Sequence, residues 1–113
     1  MAKTATKPTA SKSQATKPTD ASSAVACYEI GQNYFIRTVT NYFTGKLVAV
    51  HQQELVITDA AWIADTGRLA EFVAKGTPKE VEIYPDGQPV IIGRGAIIDA
   101  TAVSWALPRK TTE

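Results

Sequence analysis

Between residues 34 and 58 the stretch YFIRTVTNYFTGKLVAVHQQELVIT alternates apolar and polar positions and predicts three successive β-strands. In the first, over 34–40, Tyr34, Ile36, Thr38 and Thr40 fall on one side and Phe35, Arg37 and Val39 on the other. Its β-branched and aromatic side chains suit a pleated surface. Residues 41–45 supply a turn ending on Gly45, and 46–51 form the second strand. Gln52 and Gln53 make a tight link, and 54–58 form the third strand with Leu55 and Ile57 facing one way. After Asp59 the period changes. Leu69, Phe72 and Val73 stand at helical spacing, Asp65 or Thr66 can cap the start and Gly76 can close the end, which predicts one short helix over 66–75.

Residues 80–84, EVEIY, alternate again with Val81 and Ile83 inward, and Pro85, Asp86 and Gly87 form a turn. Two more apolar runs, 90–92 and 96–98, flank Gly93, Arg94 and Gly95. Two glycines around an arginine predict a bulge or sharp bend that re-aims one long cationic side chain. Residues 101–107 form a final strand or an irregular apolar segment, ended by Pro108. The pattern is that of a mainly β domain, a small barrel of five to six strands with one short helix.

Residues 1–24 have a different character, with no aromatic and no branched aliphatic side chain. Such a segment buries too little apolar surface to offset its ordering entropy, so a disordered arm is expected ahead of a domain at 25–113. Lys-Pro-Thr occurs at 7–9 and again at 17–19. The arm carries Lys3, Lys7, Lys12 and Lys17 against Asp20 alone, whereas residues 25–107 hold six cationic side chains against nine carboxylates. A basic arm on a mildly acidic body suits contact with phosphate or with an acidic protein surface, and equally a solvated spacer. No apolar run of signal-peptide length follows Lys3, so neither export by that route nor a membrane span is expected. Cys27 is the sole cysteine and His51 the sole histidine, which excludes an internal disulfide and leaves no Cys/His zinc set. A reducing compartment follows.

Catalytic chemistry has little to stand on. Asp59, Asp65 and Asp99 lie near element ends, where aspartate ordinarily serves turns and caps. His51 with Glu54 could pass a proton across the hairpin link, but no serine or cysteine completes a nucleophilic set. GRG at 93–95 lacks the third glycine of a dinucleotide fingerprint and the lysine of a P-loop. Tyr34, Phe35, Tyr42, Phe43 and Tyr84 could stack bases, although aromatic residues at alternating strand positions usually fill a core, and the acidic body opposes a nucleic-acid groove. No enzyme, metal or cofactor is expected.

Gly45, Leu47, Leu55, Ile57, Asp59 and Ala60, followed by Arg94, Gly95 and Ile98, resemble the two motifs of Sm-like small β-barrels over roughly residues 34–100. That resemblance implies a ring-forming barrel that holds single-stranded RNA through an Asp and an Asn between its second and third strands. Here those places read His51 and Glu54, in a link one residue shorter. DAAWIADTGR at 59–68, YPDG at 84–87, GRGAIIDA at 93–100 and WALPR at 105–109 are also similar to a group of small proteins of tailed bacteriophages, across nearly all of 33–109. This second resemblance implies a virion component, or an accessory protein made in the infected cytoplasm.

About 80 residues without a staple commonly gain stability by association. The sequence therefore leads to the expectation of a non-enzymatic virion protein with an Sm-like or SH3-like barrel, decorating or cementing the capsid. Its expected partners are copies of itself and other virion proteins, the major capsid protein first, with no membrane. Trp62, Trp105 and Arg94 are the candidate interface residues, and core filling is an equal alternative for the tryptophans. Lys3, Lys7, Lys12, Lys17 and His51 are the candidate contacts to nucleic acid or a partner. The alternative function is a ring-forming single-stranded nucleic-acid binder in the host cytoplasm.

Overall fold

The computed structural model describes residues 27–112; the arm expected over 1–24, with its four lysines, lies outside the described residues. The elements are β1 (Asn33–Thr38), β2 (Tyr42–Val50), β3 (Glu54–Asp65), α1 (Leu69–Lys75), β4 (Glu80–Ile83), β5 (Val90–Gly93), a 3-10 turn (Arg94–Ala96) and β6 (Ile97–Ala102). One antiparallel sheet runs β4-β3-β2-β1-β6, with β5 also paired to β3. The long β3 serves two partners: its first half lies against β5, Leu55 opposite Ile92, and its second half against β4, Ile63 opposite Val81. The fold class expected from the sequence, mainly β with five to six strands and one short helix in a small barrel, is the one observed, with six strands.

Two apolar clusters form the core. Tyr34, Ile36, Leu47, Leu55, Ile57, Ala60 and Ile92 fill one; Phe35, Ala61, Ile63, Phe72, Val81 and Val103 fill the other. β1 lies between them and is buried on both faces, so its alternation does not separate core from solvent. The helix and the segment after β6 supply the second cover. Phe72 of α1 meets the Phe35 ring edge-on at 4.8 Å, and Trp105 tilts onto Phe72 at 5.3 Å.

Asp59 is the pivot of β3. It has φ 51, the one positive-φ non-glycine among the described residues. In an uninterrupted strand Leu55, Ile57, Ala61 and Ile63 would share a face. With a left-handed residue between them, Leu55 and Ile57 enter the first cluster and Ala61 and Ile63 the second. β3 runs to Asp65 rather than ending at Thr58 as the sequence predicts, because beyond the bend it stays paired to β2 and β4.

Other boundaries differ for local reasons. The first turn spans 39–41 rather than 41–45, because Thr38 closes it: its N–H and its hydroxyl both donate to the Asn41 carbonyl, at 2.8 and 2.7 Å. Gly45 is therefore inside β2, and it is glycine for want of space, since a Cβ there would sit 2.7 Å from Ile57 Cδ1. The helix starts at Leu69 with Arg68 as an N-cap that makes no side-chain capping bond. Asp65 instead accepts from the Gly67 N–H at 2.8 Å, and Thr66 donates to the Gly67 carbonyl. Gly76 ends the helix as expected, with φ 76. The 85–88 turn closes from the Gln88 N–H to the Pro85 carbonyl, which makes Pro85 its first residue. The glycine–arginine bend is a 3-10 turn, and β6 runs from Ile97 to Ala102 rather than over 96–98.

Candidate interaction site

The carboxylates that could have made an acid/base or metal centre lie apart in separate local structures. Asp59 bends β3, Asp65 holds the Gly67 amide, and Asp99 pairs with Arg37 across β1 and β6. Arg37 Nε donates to Asp99 Oδ1 at 2.8 Å, in register opposite it. That hydrogen bond holds the Asp99 carboxyl below its usual value, and the Arg37 guanidinium is correspondingly harder to deprotonate. Burial pushes the Tyr34 phenol up, partly offset by the Glu29 N–H that donates to its oxygen at 2.8 Å. Among the described residues, no group of three His, Cys, Asp or Glu side chains is placed to hold a metal ion. No helix among them is long and apolar enough to cross a membrane.

His51 and Glu54 meet through backbone, the His51 N–H donating to the Glu54 carbonyl at 2.8 Å around the predicted Gln52–Gln53 link. Arg94 is drawn to the same corner: its Nη1 donates to the His51 carbonyl at 2.9 Å, and its guanidinium lies 5.4 Å from the centre of the Tyr28 ring. Cys27 is exposed.

The two tryptophans have different settings. Trp105 is half-buried, stacks over Gly76 and donates Nε1–H to the Val73 carbonyl at 2.8 Å, so it ties the C-terminal segment to the helix. Trp62 is 38 % exposed. The bend at Asp59 returns it to the face of Ile57 and Ala60, but past the end of the first cluster. There it lies in register with Phe43 of β2 and Glu82 of β4. With Asn41, Tyr84 and Pro85 these residues line an open groove of about 410 Å³. Arg109 fixes its far wall, with Nη1 donating to the Ala60 carbonyl at 3.2 Å and Nη2 to the Tyr84 carbonyl at 3.1 Å, while it also pairs with Asp86.

The sheet edges are treated unequally. The outer edge of β4 is covered by the chain's own C-terminal segment: the Val81 N–H donates to the Thr112 hydroxyl, the Ile83 N–H to the Thr111 hydroxyl, and the Thr112 N–H to the Val81 carbonyl, at 2.9–3.1 Å. β5 pairs only with β3, and β6 only with β1, so each keeps an unpaired edge among the described residues. Each also carries a large exposed apolar side chain, Ile91 at 67 % and Ile98 at 62 %. Sequence reasoning identified Trp62 but not the groove around it, nor the edge-capping threonines. Their partners are fixed by long-range pairing, and a threonine near a chain end carries no local sign of that role.

No family model matches the chain, and no curated protein matches it. Among solved structures it is similar to a heptameric archaeal Sm protein, at 16 % sequence identity and a TM-score of 0.48, over 66 % of this chain and 90 % of that one.

Proposed function

We propose that this protein works by association rather than catalysis, as a structural component of a tailed-phage particle that bridges neighbouring subunits. The observation that carries the association is the unequal treatment of its edges. Exposed strand edges invite pairing with other chains, and monomeric proteins blunt them. Here β4 is blunted by Thr111 and Thr112, whereas among the described residues β5 and β6 stay open and present Ile91 and Ile98. Two different open edges on one protomer suit a head-to-tail contact, the edge of β5 against the edge of β6 in the next copy, which closes into a ring when the rotation permits.

The phage assignment is supported by the likeness of residues 59–68, 84–87, 93–100 and 105–109 to small tailed-phage proteins. Capsid decoration or cementing, with the major capsid protein as partner, suits a small barrel that carries a lysine-bearing N-terminal segment. Those four lysines also favour a second reading, a ring that binds single-stranded nucleic acid in the host cytoplasm.

Native mass spectrometry of the full chain tests the association. A defined oligomer that becomes monomeric in Ile91→Asp or Ile98→Asp is expected, and a parent that is monomeric at micromolar concentration overturns it. Finding the protein at stoichiometric level in purified particles supports the virion role. Its absence there, combined with a salt-sensitive shift of labelled single-stranded RNA or DNA, would favour the nucleic-acid binder.

A further inference from the structure

The groove between β2, β3 and β4 has the chemistry of a proline-peptide site. Phe43, Trp62 and Tyr84 supply aromatic faces, Pro85 closes one end, and Glu82 and Asn41 add a carboxylate and an amide at the rim. Its 410 Å³ is within the size range of ligand sites. None of the polar side-chain groups of Trp62, Tyr84, Glu82 or Asn41 makes a hydrogen bond or ion pair to another described residue. The site is therefore aromatic with one carboxylate, Glu82, and these side-chain polar atoms are uncommitted among the described residues. Aromatic-lined grooves recognise extended proline segments, because a polyproline II strand is already ordered before it docks and proline stacks flat on an aromatic ring.

We propose that this groove binds the chain's own Lys-Pro-Thr segments, Lys17, Pro18 and Thr19 first, with the copy at 7–9 as a second ligand for the same site. Proline lies against Trp62 and Tyr84, the preceding lysine faces Glu82, and the threonine hydroxyl meets the Asn41 amide. Charge complementarity selects this occupant. The segment before Cys27 holds four lysines against one aspartate, and Glu82 has no cationic partner among the described residues. Reach permits it. Tyr28 packs on Tyr34 with ring centres 5.8 Å apart, and Tyr34 lies opposite Gly45, two residues along β2 from Phe43. From Thr19 to Cys27 an extended chain covers about 28 Å, against about 24 Å for the Tyr28–Tyr34 contact, one strand spacing and the four positions from Gly45 to Asn41, so the segment spans the gap nearly fully extended. Tethering at that length gives an effective concentration of order millimolar, so even a weak peptide site is substantially filled. The repeat ten residues upstream raises that occupancy without any new contact. The site does not depend on assembly through β5 and β6.

The test is the indole N–H resonances of the ¹⁵N-labelled full chain, where Trp62 reports the groove and Trp105 reports the fold. Pro8→Ala combined with Pro18→Ala should move the Trp62 signal and leave that of Trp105 in place. A synthetic peptide of residues 14–21, QATKPTDA, should then return it saturably toward the parent position. Glu82→Lys should move the signal alone and abolish the peptide response. Combining it with Lys7→Glu and Lys17→Glu should restore the parent signal. A Trp62 resonance that is identical in the parent and the double proline variant overturns the proposal, as does one that ignores the peptide. A difference that vanishes on dilution assigns the groove to a second copy and equally overturns docking by the protein's own segment.

Discussion

Gly76 holds together the helix end and the Trp105 anchor, and replacing it with alanine separates the two demands placed on it. The residue has φ 76, and its N–H closes the helix onto the Phe72 carbonyl at 2.7 Å. A side chain there meets two penalties. A left-handed conformation costs a non-glycine residue roughly 1–2 kcal/mol. An added Cβ would also overlap the indole of Trp105, reaching Cγ at 2.6 Å. The ring has little room to retreat, because it is tilted onto Phe72 on one side and bonded through Nε1 to Val73. Overpacking of this kind costs about 1–3 kcal/mol, so Gly76→Ala should lose about 2–5 kcal/mol in all. That is a large share of the roughly 5–15 kcal/mol typical of a domain, and it lowers the melting temperature by about 10 °C or more.

Urea unfolding of the two variants Gly76→Ala and Gly76→Asn measures the two parts separately. Asparagine tolerates the left-handed region but still carries a Cβ. If the collision with Trp105 dominates, both substitutions lower the midpoint alike and perturb the near-ultraviolet signal of the tryptophan. A loss under about 1 kcal/mol for alanine, or an asparagine variant as stable as the parent, would refute the packing argument.

Thr44 is fully buried in β2 and its hydroxyl has no partner among the described residues. Thr44→Val, which keeps the shape and removes the stranded polar group, should raise stability by about 1 kcal/mol, read as a higher urea midpoint at unchanged slope. Replacing Thr111 and Thr112 together with valine removes two hydrogen bonds from the β4 edge, costing about 1–3 kcal/mol. The Val81 and Ile83 amides should then exchange faster and the protein should aggregate more readily, whereas unchanged exchange would show that the hydroxyls do not protect the edge. Arg37 depresses the Asp99 carboxyl in the folded state, so the pair stabilises the fold above the ordinary aspartate value and loses that contribution as pH falls through the depressed one. Asp99→Asn should therefore melt lower than the parent at pH 7, with the gap closing below about pH 4; a gap of constant size down to the acid transition would contradict this linkage.

Much of the fold is legible in local pattern. The Gln52–Gln53 link, the Gly76 helix end and the six apolar runs all follow from short-range spacing and turn chemistry. What local pattern hides is the change of face within β3. Alternation assigns Leu55, Ile57, Ala61 and Ile63 to one side, and only the left-handed Asp59 divides them between two clusters. The two-sided burial of β1 is hidden for a related reason, since its second cover comes from Phe72 and Val103, both distant in sequence. Trp62 was legible as an interface candidate, with core filling an equal alternative, and only the structure shows it 38 % exposed. Its partners Phe43 and Glu82 were not, because cross-strand register across three strands depends on where the bend falls.

That same bend keeps the groove and the open edges separate. β5 occupies the Glu54–Ile57 half of β3, and the groove begins beyond Asp59 at Trp62, on the half that β4 covers. No groove residue lies on β5 or β6. The two proposals therefore predict opposite responses to the same pair of substitutions. Ile98→Asp should dissolve the assembly while the Trp62 indole signal stays at its parent position. Glu82→Lys should move that signal while the native mass stays the same. If either substitution changed both readouts, the groove would form part of the subunit contact. The open edges of β5 and β6 would then be insufficient to account for association.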